Sequence, residues 1–271
     1  MAKTITNARQ GDLRRGVIAT GLTSGEAELR RWYGHGLPVD YLAWDSETTG
    51  FNTAWDVPIE FGWCVVRDRK PVSRGSYMLD WTRYPNLVEK DWLLDQLERI
   101  SYAMRMQNRS WQITWDVLRT EGRDPFKVIR FAHKLFTTNR EVGAAFVGHN
   151  SLAYDNNLWR NVFYEWIGQE WSWYKGEVFD SGVLEKIILS QSLPDPTKRL
   201  TPQPQELLYD FLARAQKANR PGVKWNIEAC AERYRLCERY GLCAEQLHGA
   251  AADAYCCHLL TELHREEAQR V

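Results

Sequence analysis

Two carboxylates stand two residues apart near the end of a predicted strand. Residues 41–50 read YLAWDSETTG, so that an apolar run leads into Asp45 and Glu47 and then into a polar turn. Because alternate side chains of a strand share one face, both carboxylates are expected to point the same way. Two anions this close repel each other, and burying them costs free energy unless a cation neutralises them. Hard cations such as Mg²⁺ prefer carboxylate oxygens, so the pair is a candidate metal site as well as a strand that ends in a turn.

Further along the chain, two other carboxylates and a histidine follow comparable signals. Asp155 comes after the apolar run 144–147, which is typical of a buried strand, and its simplest role is to cap the helix predicted next. Asp253 lies one turn into a C-terminal helix that opens with three alanines, which are small enough for close packing against a neighbour. A carboxylate in that setting needs a partner, and a metal ion would supply one. His248, one turn earlier, is either a surface residue or a general base over the same site.

The elements that would position these residues are strands and helices in alternation. Apolar, β-rich segments predict strands at 41–46, 59–66, 73–79, 144–147 and 177–180. Apolar residues at helical spacing predict helices within 81–140 and over 155–167, 183–189 and 249–267. Residues 190–204 contain four prolines and indicate a loop. This pattern predicts an α/β domain with a mixed sheet.

Composition restricts the class of protein but not its partner. The chain has 271 residues, 44% of them hydrophobic, and 35 basic residues balance 35 acidic ones, so nucleic acid would have to bind through a local basic patch. Six cysteines without a CxxC pair, and no secretory signal, predict reduced thiols in a cytoplasmic protein. A zinc site is the alternative for some of them, although its spacings fit no common pattern: Cys230, Cys237, Cys243 and His248. No apolar run reaches the roughly 18 residues of a membrane span.

Taken together, the motifs resemble the DEDD exonucleases, specifically the DnaQ-like 3′→5′ group whose third motif carries a histidine. The first motif, D-x-E-T-T-G, is complete at residues 45–50. The second is present in His149-Asn150 and Tyr154-Asp155, and the third, H-x4-D, in His248 and Asp253. Within the group the chain is most similar to the bacterial exonuclease I branch, through RNVFY at 160–164 and WSW at 171–173.

The resemblance implies an RNase H-like fold, with a five-stranded mixed sheet flanked by helices. The exonuclease domain would span 41–271 after an N-terminal extension at 1–40, with helical insertions near 81–120 and 190–224. These insertions, like the extension, have no counterpart that we can align with the branch.

The same resemblance implies the activity and the roles of the site residues. The chain would be a metal-dependent 3′→5′ exonuclease in which four carboxylates, Asp45, Glu47, Asp155 and Asp253, hold two Mg²⁺ or Mn²⁺ ions. His248 would deprotonate the attacking water. Residues next to the motifs would contact the terminal nucleotide: Thr48, Thr49, Phe51 and Asn150.

A single strand is the predicted form of the substrate, because an acidic site suits one line of phosphates better than two, and the resemblance to the exonuclease I branch favours single-stranded DNA. Aromatic residues near the second motif could stack on bases, although most are expected in the core: Tyr154, Trp159, Phe163, Tyr164, Trp166, Trp171 and Trp173. Basic residues of the second insertion could hold phosphates: Lys198, Arg199, Arg214, Lys217, Arg220 and Lys224.

Three alternatives stay open at this point. The substrate could be RNA or an oligoribonucleotide, since only the resemblance favours DNA. The chain could instead be a nucleic-acid-binding subunit of the proofreading type in a larger complex. A different metal-dependent α/β enzyme with a similar acidic cluster is the third, whereas a P-loop and a dinucleotide-binding fingerprint are absent.

Overall fold

A five-stranded mixed sheet forms the centre of the structure, a computed structural model that describes residues 33–34, 36–106, 111–174, 176–218, 224–241 and 249–269. Its strands are β1 (Tyr41–Thr48), β2 (Pro58–Arg67), β3 (Lys70–Met78), β4 (Ala145–Gly148) and β5 (Val178–Asp180). They lie in the order β3-β2-β1-β4-β5. Strand β2 runs antiparallel to β1 and β3, whereas β4 runs parallel to β1 and β5. The predicted α/β fold with a five-stranded mixed sheet is confirmed.

Helices cover both faces of this sheet. One face carries α1 (Lys90–Met106), α2 (Trp115–Glu121), α3 (Pro125–Glu141) and α4 (Asp155–Ile167). The other carries α5 (Ser181–Ser190), α6 (Leu208–Lys217), α7 (Ile227–Arg233), α8 (Leu236–Tyr240) and α9 (Ala250–Gln269). Short 3₁₀ turns at Trp81–Arg83 and Pro196–Lys198 complete the described elements. The two predicted insertions therefore pack on opposite faces.

Side-chain alternation along β1 decides which face receives the acidic residues. Ala43 belongs to the core under α9, and Trp44 belongs to the core under α3 and α4. Because Asp45 and Glu47 continue the series of Ala43, their side chains are directed to the α9 face. The sheet therefore brings the first motif to the helix that carries the third.

Three strands are longer than the sequence predicted, and for β1 and β3 the reason is identifiable. β1 continues past residue 46, because Glu47 still pairs with Glu60 of β2. β3 begins at Lys70, because Asp68 and Arg69 both have positive φ angles, 46° and 69°, and turn the chain back tightly after β2. The first of these extensions keeps both acidic residues inside the sheet.

The last residues before β1 pack into the same core. Tyr33 and Leu37 are buried among the side chains under α9. The Arg265 guanidinium of α9 donates hydrogen bonds to the carbonyl oxygens of Leu37 at 3.4 Å and Pro38 at 2.5 Å. Residues 33–34 and 36–40, which the sequence assigned to an extension, thus contribute to the folded domain, and residues 1–32 and 35 lie outside the described part of the chain.

The cysteines behave as small core residues. Cys64, Cys230, Cys256 and Cys257 are buried free thiols, and Cys237 is a partly exposed one. Burial raises the pKa of Cys64 to about 12, which keeps the thiol protonated. Two members of the alternative zinc set, Cys243 and His248, lie outside the described residues. In the part of the chain that the structure describes, no helix has the length and apolar character needed to cross a membrane.

Candidate metal centre and active site

Three carboxylates meet at the end of β1. Asp45, Glu47 and Asp253 each present a carboxylate oxygen within 4.8 Å of the others. Asp253 is buried one turn into α9, whereas the two residues of β1 are partly exposed. One cation could therefore contact all three side chains.

Close contact between β2 and α9 makes this meeting possible. Gly62 pairs with Asp45 across the sheet, and a Cβ atom on Gly62 would lie 2.0 Å from the carbonyl oxygen of Ala250. Only glycine fits between the strand and the first turn of the helix. The small residues at the start of α9 thus have the packing role predicted from the three alanines.

Glu60 is a site residue that sequence reasoning missed. It is 5% exposed and lies opposite Glu47 in the β1–β2 register. Its Oε2 atom accepts a hydrogen bond from the backbone N–H of Ala250 at 3.0 Å, which satisfies a free donor in the first turn of α9. A carboxylate is also favourable at the positive end of the helix dipole. Glu60 therefore fixes the helix that carries Asp253.

The charges of the cluster are strongly unfavourable without a cation. Burial, together with the negative charges of Glu60 and Glu228, raises the pKa of Asp45 to about 7. Burial and the charge of Asp45 raise the pKa of Glu47 well above its ordinary value. These raised pKa values indicate that several carboxylates repel one another in a partly desolvated site. A divalent ion would relieve that repulsion.

Asp155 interacts electrostatically with Asp45 but is not one of the three carboxylates that meet. It is the first residue of α4, and the cap position belongs to Tyr154, so the capping role considered for Asp155 is wrong. Among the described residues its buried Oδ1 atom has no hydrogen-bond partner. Burial and the charges of Asp45 and Asp180 raise its pKa well above the ordinary value. An orphaned buried carboxylate oxygen beside an acidic cluster fits a metal ligand.

The loop before Asp155 is held by Asp180, which the sequence analysis did not select. The carboxylate of Asp180, at the end of β5, accepts hydrogen bonds from the backbone N–H groups of Asn150 at 2.9 Å, Leu152 at 3.0 Å and Val183 at 2.9 Å. Asn150 adopts a left-handed backbone with φ of 65°, a conformation that asparagine tolerates. Strand-end Asp followed by Ser-Gly is a helix-cap signal that could have drawn attention to it.

The turn after the first motif is closed by Asp56. Its carboxylate accepts hydrogen bonds from the Thr49 hydroxyl at 2.9 Å and from the Asn52 N–H at 2.5 Å. It lies so close to Gly50 that a Cβ atom there would come within 2.7 Å of Oδ2. Thr49 is 1% exposed, and its N–H donates to Val57 O at 3.1 Å, so its polar groups hold the turn together.

The same turn presents aromatic side chains to solvent. Phe51 is 94% exposed and Trp55 is 77% exposed. The ring of Phe51 contacts that of Tyr154 edge-on, with centroids 6.2 Å apart, and the Tyr154 hydroxyl donates to Gly50 O at 2.6 Å. The Thr48 hydroxyl also donates to Gly50 O, at 2.7 Å. Phe51 is thus placed beside the second motif, and Trp55 is an exposed ring that sequence reasoning missed.

A cavity of about 480 Å³ opens beside Asp45. His149, Asn150 and residues 224–228 also line it. Burial lowers the pKa of His149, so the imidazole is neutral at pH 7. His248, the predicted general base, lies outside the described residues.

Most of the predicted aromatic residues belong to the core, as expected. Trp159 and Phe163 are fully buried, and Trp173 packs against the same cluster. Tyr154 is partly exposed and Tyr164 is 60% exposed.

The basic residues of the second insertion differ from one another in their contacts. Arg214 makes two hydrogen bonds to Glu206, at 2.8 and 2.7 Å, and Lys198 lies 3.7 Å from Asp195. Lys224 lines the cavity beside Asp45. Arg220 lies outside the described residues.

Solved structures similar to this chain include those of exonuclease I. A zinc-bound complex of Escherichia coli exonuclease I with single-stranded DNA has a TM-score of 0.53 and 18% identity, over 86% of this chain and 42% of that chain. A product-bound exonuclease I structure has a TM-score of 0.54 and 18% identity, over 86% and 45% of the two chains. An E. coli complex with a dA16 oligonucleotide has a TM-score of 0.53 and 17% identity, over 85% and 42%.

The fold is that of part of the exonuclease I chain. The predicted structural resemblance is thus confirmed. At a sequence identity of 18%, the similarity supports a shared fold but does not establish a shared activity. The present chain spans less than half the length of these exonuclease I chains. No protein-family model matches the sequence, and no curated protein matches it.

Proposed function

We propose that this chain is a divalent-metal-dependent 3′→5′ exonuclease that acts on single-stranded DNA. The observation that carries the proposal is the meeting of Asp45, Glu47 and Asp253 within 4.8 Å. The order of the three motifs supports it. So do the exonuclease I structures with the same fold, which include complexes with single-stranded DNA.

The acidic residues fit a metal cofactor. The raised pKa values of Asp45, Glu47 and Asp155 and the orphaned Oδ1 atom of Asp155 all indicate carboxylates that lack a cationic partner among the described residues. We expect these residues and Asp253 to hold two Mg²⁺ or Mn²⁺ ions. When bound, such cations supply positive charge that offsets the charge developing on the phosphodiester.

The remaining residues would handle the proton and the substrate. His248, five residues before Asp253 in the sequence, would take a proton from the attacking water. Phe51 would contact the terminal base, because it is an exposed ring next to the first motif. Asn150 lines the cavity and Thr48 belongs to the turn, and both would contact the terminal nucleotide. Thr49 would act by holding the turn closed.

A degradation assay with oligonucleotides of one sequence tests this proposal. The substrates are single-stranded DNA, a blunt duplex and RNA, each labelled at the 5′ end, with Mg²⁺, Mn²⁺ or EDTA. We expect a ladder of shortened, label-bearing products from single-stranded DNA in the presence of either metal. The Asp45→Asn variant should give no ladder.

Three results would contradict the proposal. Cleavage in EDTA would remove the metal requirement. Loss of the label in one step would indicate attack from the 5′ end. Faster shortening of RNA than of DNA would favour the ribonuclease alternative.

A further inference from the structure

A short segment with one lysine, residues 224–226, forms a wall of the cavity beside Asp45. Residues 224–226 place a lysine, a tryptophan and an asparagine on that wall, immediately before α7. Asp45 and Glu228 contribute negative charge to the same cavity, and His149 is neutral. Lys224 therefore brings positive charge to a space that is otherwise acidic, polar or apolar.

The backbone of this wall is fixed from two directions. The guanidinium of Arg233 donates to Lys224 O at 2.7 Å, and it is held in turn by the fully buried carboxylate of Glu185 at 2.9 Å. Trp225 O accepts a hydrogen bond at 2.7 Å from Nε2 of His149, which must carry the proton because a carbonyl can only accept. The second motif and α7 therefore hold Lys224 at a set position relative to Asp45.

The indole of Trp225 is also held in place. The ammonium group of Lys186, itself bonded to Gln216 O at 2.9 Å, lies 5.2 Å from the ring centroid. A cation at this distance is attracted to the face of an indole. The wall is thus anchored at its backbone and at its ring, while the Lys224 side chain remains exposed.

We propose that Lys224 binds a backbone phosphate of the substrate strand, next to the phosphate that is hydrolysed; the inference rests on the proposed function. The acidic cluster with its cations can accept one phosphate, whereas the next phosphate along the strand must find positive charge elsewhere. A lysine ammonium supplies positive charge and three hydrogen-bond donors to a phosphate without recognising the base sequence. Of the predicted basic residues that the structure describes, Lys224 is the one that lines the cavity, whereas Arg214 is engaged by Glu206.

Binding and kinetics of three full-length variants test this inference. The probe is a 5′-fluorescein oligothymidylate, whose anisotropy is measured in EDTA over a series of NaCl concentrations and whose hydrolysis is measured with Mn²⁺. Lys224→Ala removes the charge and Lys224→Arg keeps it. Lys134→Ala is the matched control, because Lys134 is exposed on α3, over the other face of the sheet.

We expect Lys224→Ala to weaken binding and raise KM roughly tenfold, with kcat unchanged. The slope of log K against log salt should fall by about 0.7, the value of one phosphate contact on a single strand. Lys224→Arg and Lys134→Ala should resemble the wild type. An unchanged salt slope in Lys224→Ala, or a loss of kcat without a change in KM, would overturn the inference. If the wild-type protein does not shorten the probe from its 3′ end, the proposed function itself fails.

Discussion

Glu60 of β2 and Ala250 of α9 join the sheet to the helix that carries Asp253. The carboxylate of Glu60 accepts the N–H of Ala250 at 3.0 Å, across 190 residues of sequence. Glu60 also faces Glu47 in the sheet register. One buried acid thus sets the distance between two metal-ligand candidates that belong to different motifs.

Replacement of Glu60 by alanine should therefore weaken metal binding. We expect the Glu60→Ala variant to lose about 10–100-fold in Mn²⁺ affinity, as is typical when a residue that orients metal ligands is removed. Glu60→Gln keeps an acceptor for the N–H of Ala250 and should recover most of that affinity. Isothermal titration calorimetry of Mn²⁺ binding measures both.

The control for this experiment is Glu177→Ala. Glu177 is also buried, accepts a hydrogen bond from Arg140 at 3.1 Å, and lies before β5, at the end of the sheet opposite to Asp45. The Glu177→Ala substitution should lower the melting temperature of the protein without changing its affinity for Mn²⁺. Equal affinities in Glu60→Ala and the wild type would show that α9 is positioned without Glu60.

Metal-free Asp45→Asn should be more stable than the metal-free wild type at neutral pH. The pKa of Asp45 rises from 3.8 to about 7 on folding, so its protonated form stabilises the fold below about pH 4. That contribution is lost as the pH rises through 7, and the amide variant avoids the loss. Melting temperatures in EDTA should thus favour Asp45→Asn by a few degrees at pH 8 and much less at pH 4, at about 2–4 °C for each kcal/mol.

Added Mn²⁺ should reverse the order at pH 8, because the wild type binds the ion more tightly. A wild type that is more stable than Asp45→Asn in EDTA at pH 8 would mean that the cluster does not carry the crowded charge described above.

Phe51→Ala should weaken binding of single-stranded DNA without affecting stability. The ring is 94% exposed, so little packing is lost, whereas stacking on a base contributes about 1–3 kcal/mol. Phe51→Trp should retain binding. Tyr102→Ala, which removes another exposed ring on α1, is the control. Unchanged oligonucleotide affinity in Phe51→Ala would exclude a stacking role.

His248→Ala should slow turnover by about 10²–10⁴-fold, the usual effect of losing a general base. Mn²⁺ affinity and oligonucleotide affinity should change far less, because the carboxylates remain. The pH–rate profile of the wild type should rise through an apparent pKa near that of imidazole, and the variant should lose that limb. Wild-type turnover in His248→Ala at neutral pH would require another base.

Features that depend on local patterns were predictable from the sequence. Strand alternation placed Asp45 and Glu47 on one face, and the alanines after Gly249 predicted a closely packed helix around Asp253. Both follow from side-chain direction and size within a few residues, which is the range over which sequence periodicity carries information.

The meeting of Asp45 and Asp253 was predicted through the family resemblance, whereas other contacts between distant residues were not predictable. Glu60 stands in an apolar strand with no local sign of its bond to Ala250. In the sequence, nothing distinguishes Lys224 from the other basic residues of the second insertion. Its position becomes apparent only from the hydrogen bond between His149 and Trp225, which are 76 residues apart. Only the assembled sheet and helices show which charges face the cavity.

Anomalous scattering from crystals soaked in Mn²⁺ tests the central claim most directly. The account predicts a strong peak in contact with the carboxylates of Asp45, Glu47 and Asp253, with a second near Asp155. Crystals of Asp253→Asn should show that density weakened or lost. Mn²⁺ bound elsewhere in crystals of an active protein, with these carboxylates free of metal, would contradict the account.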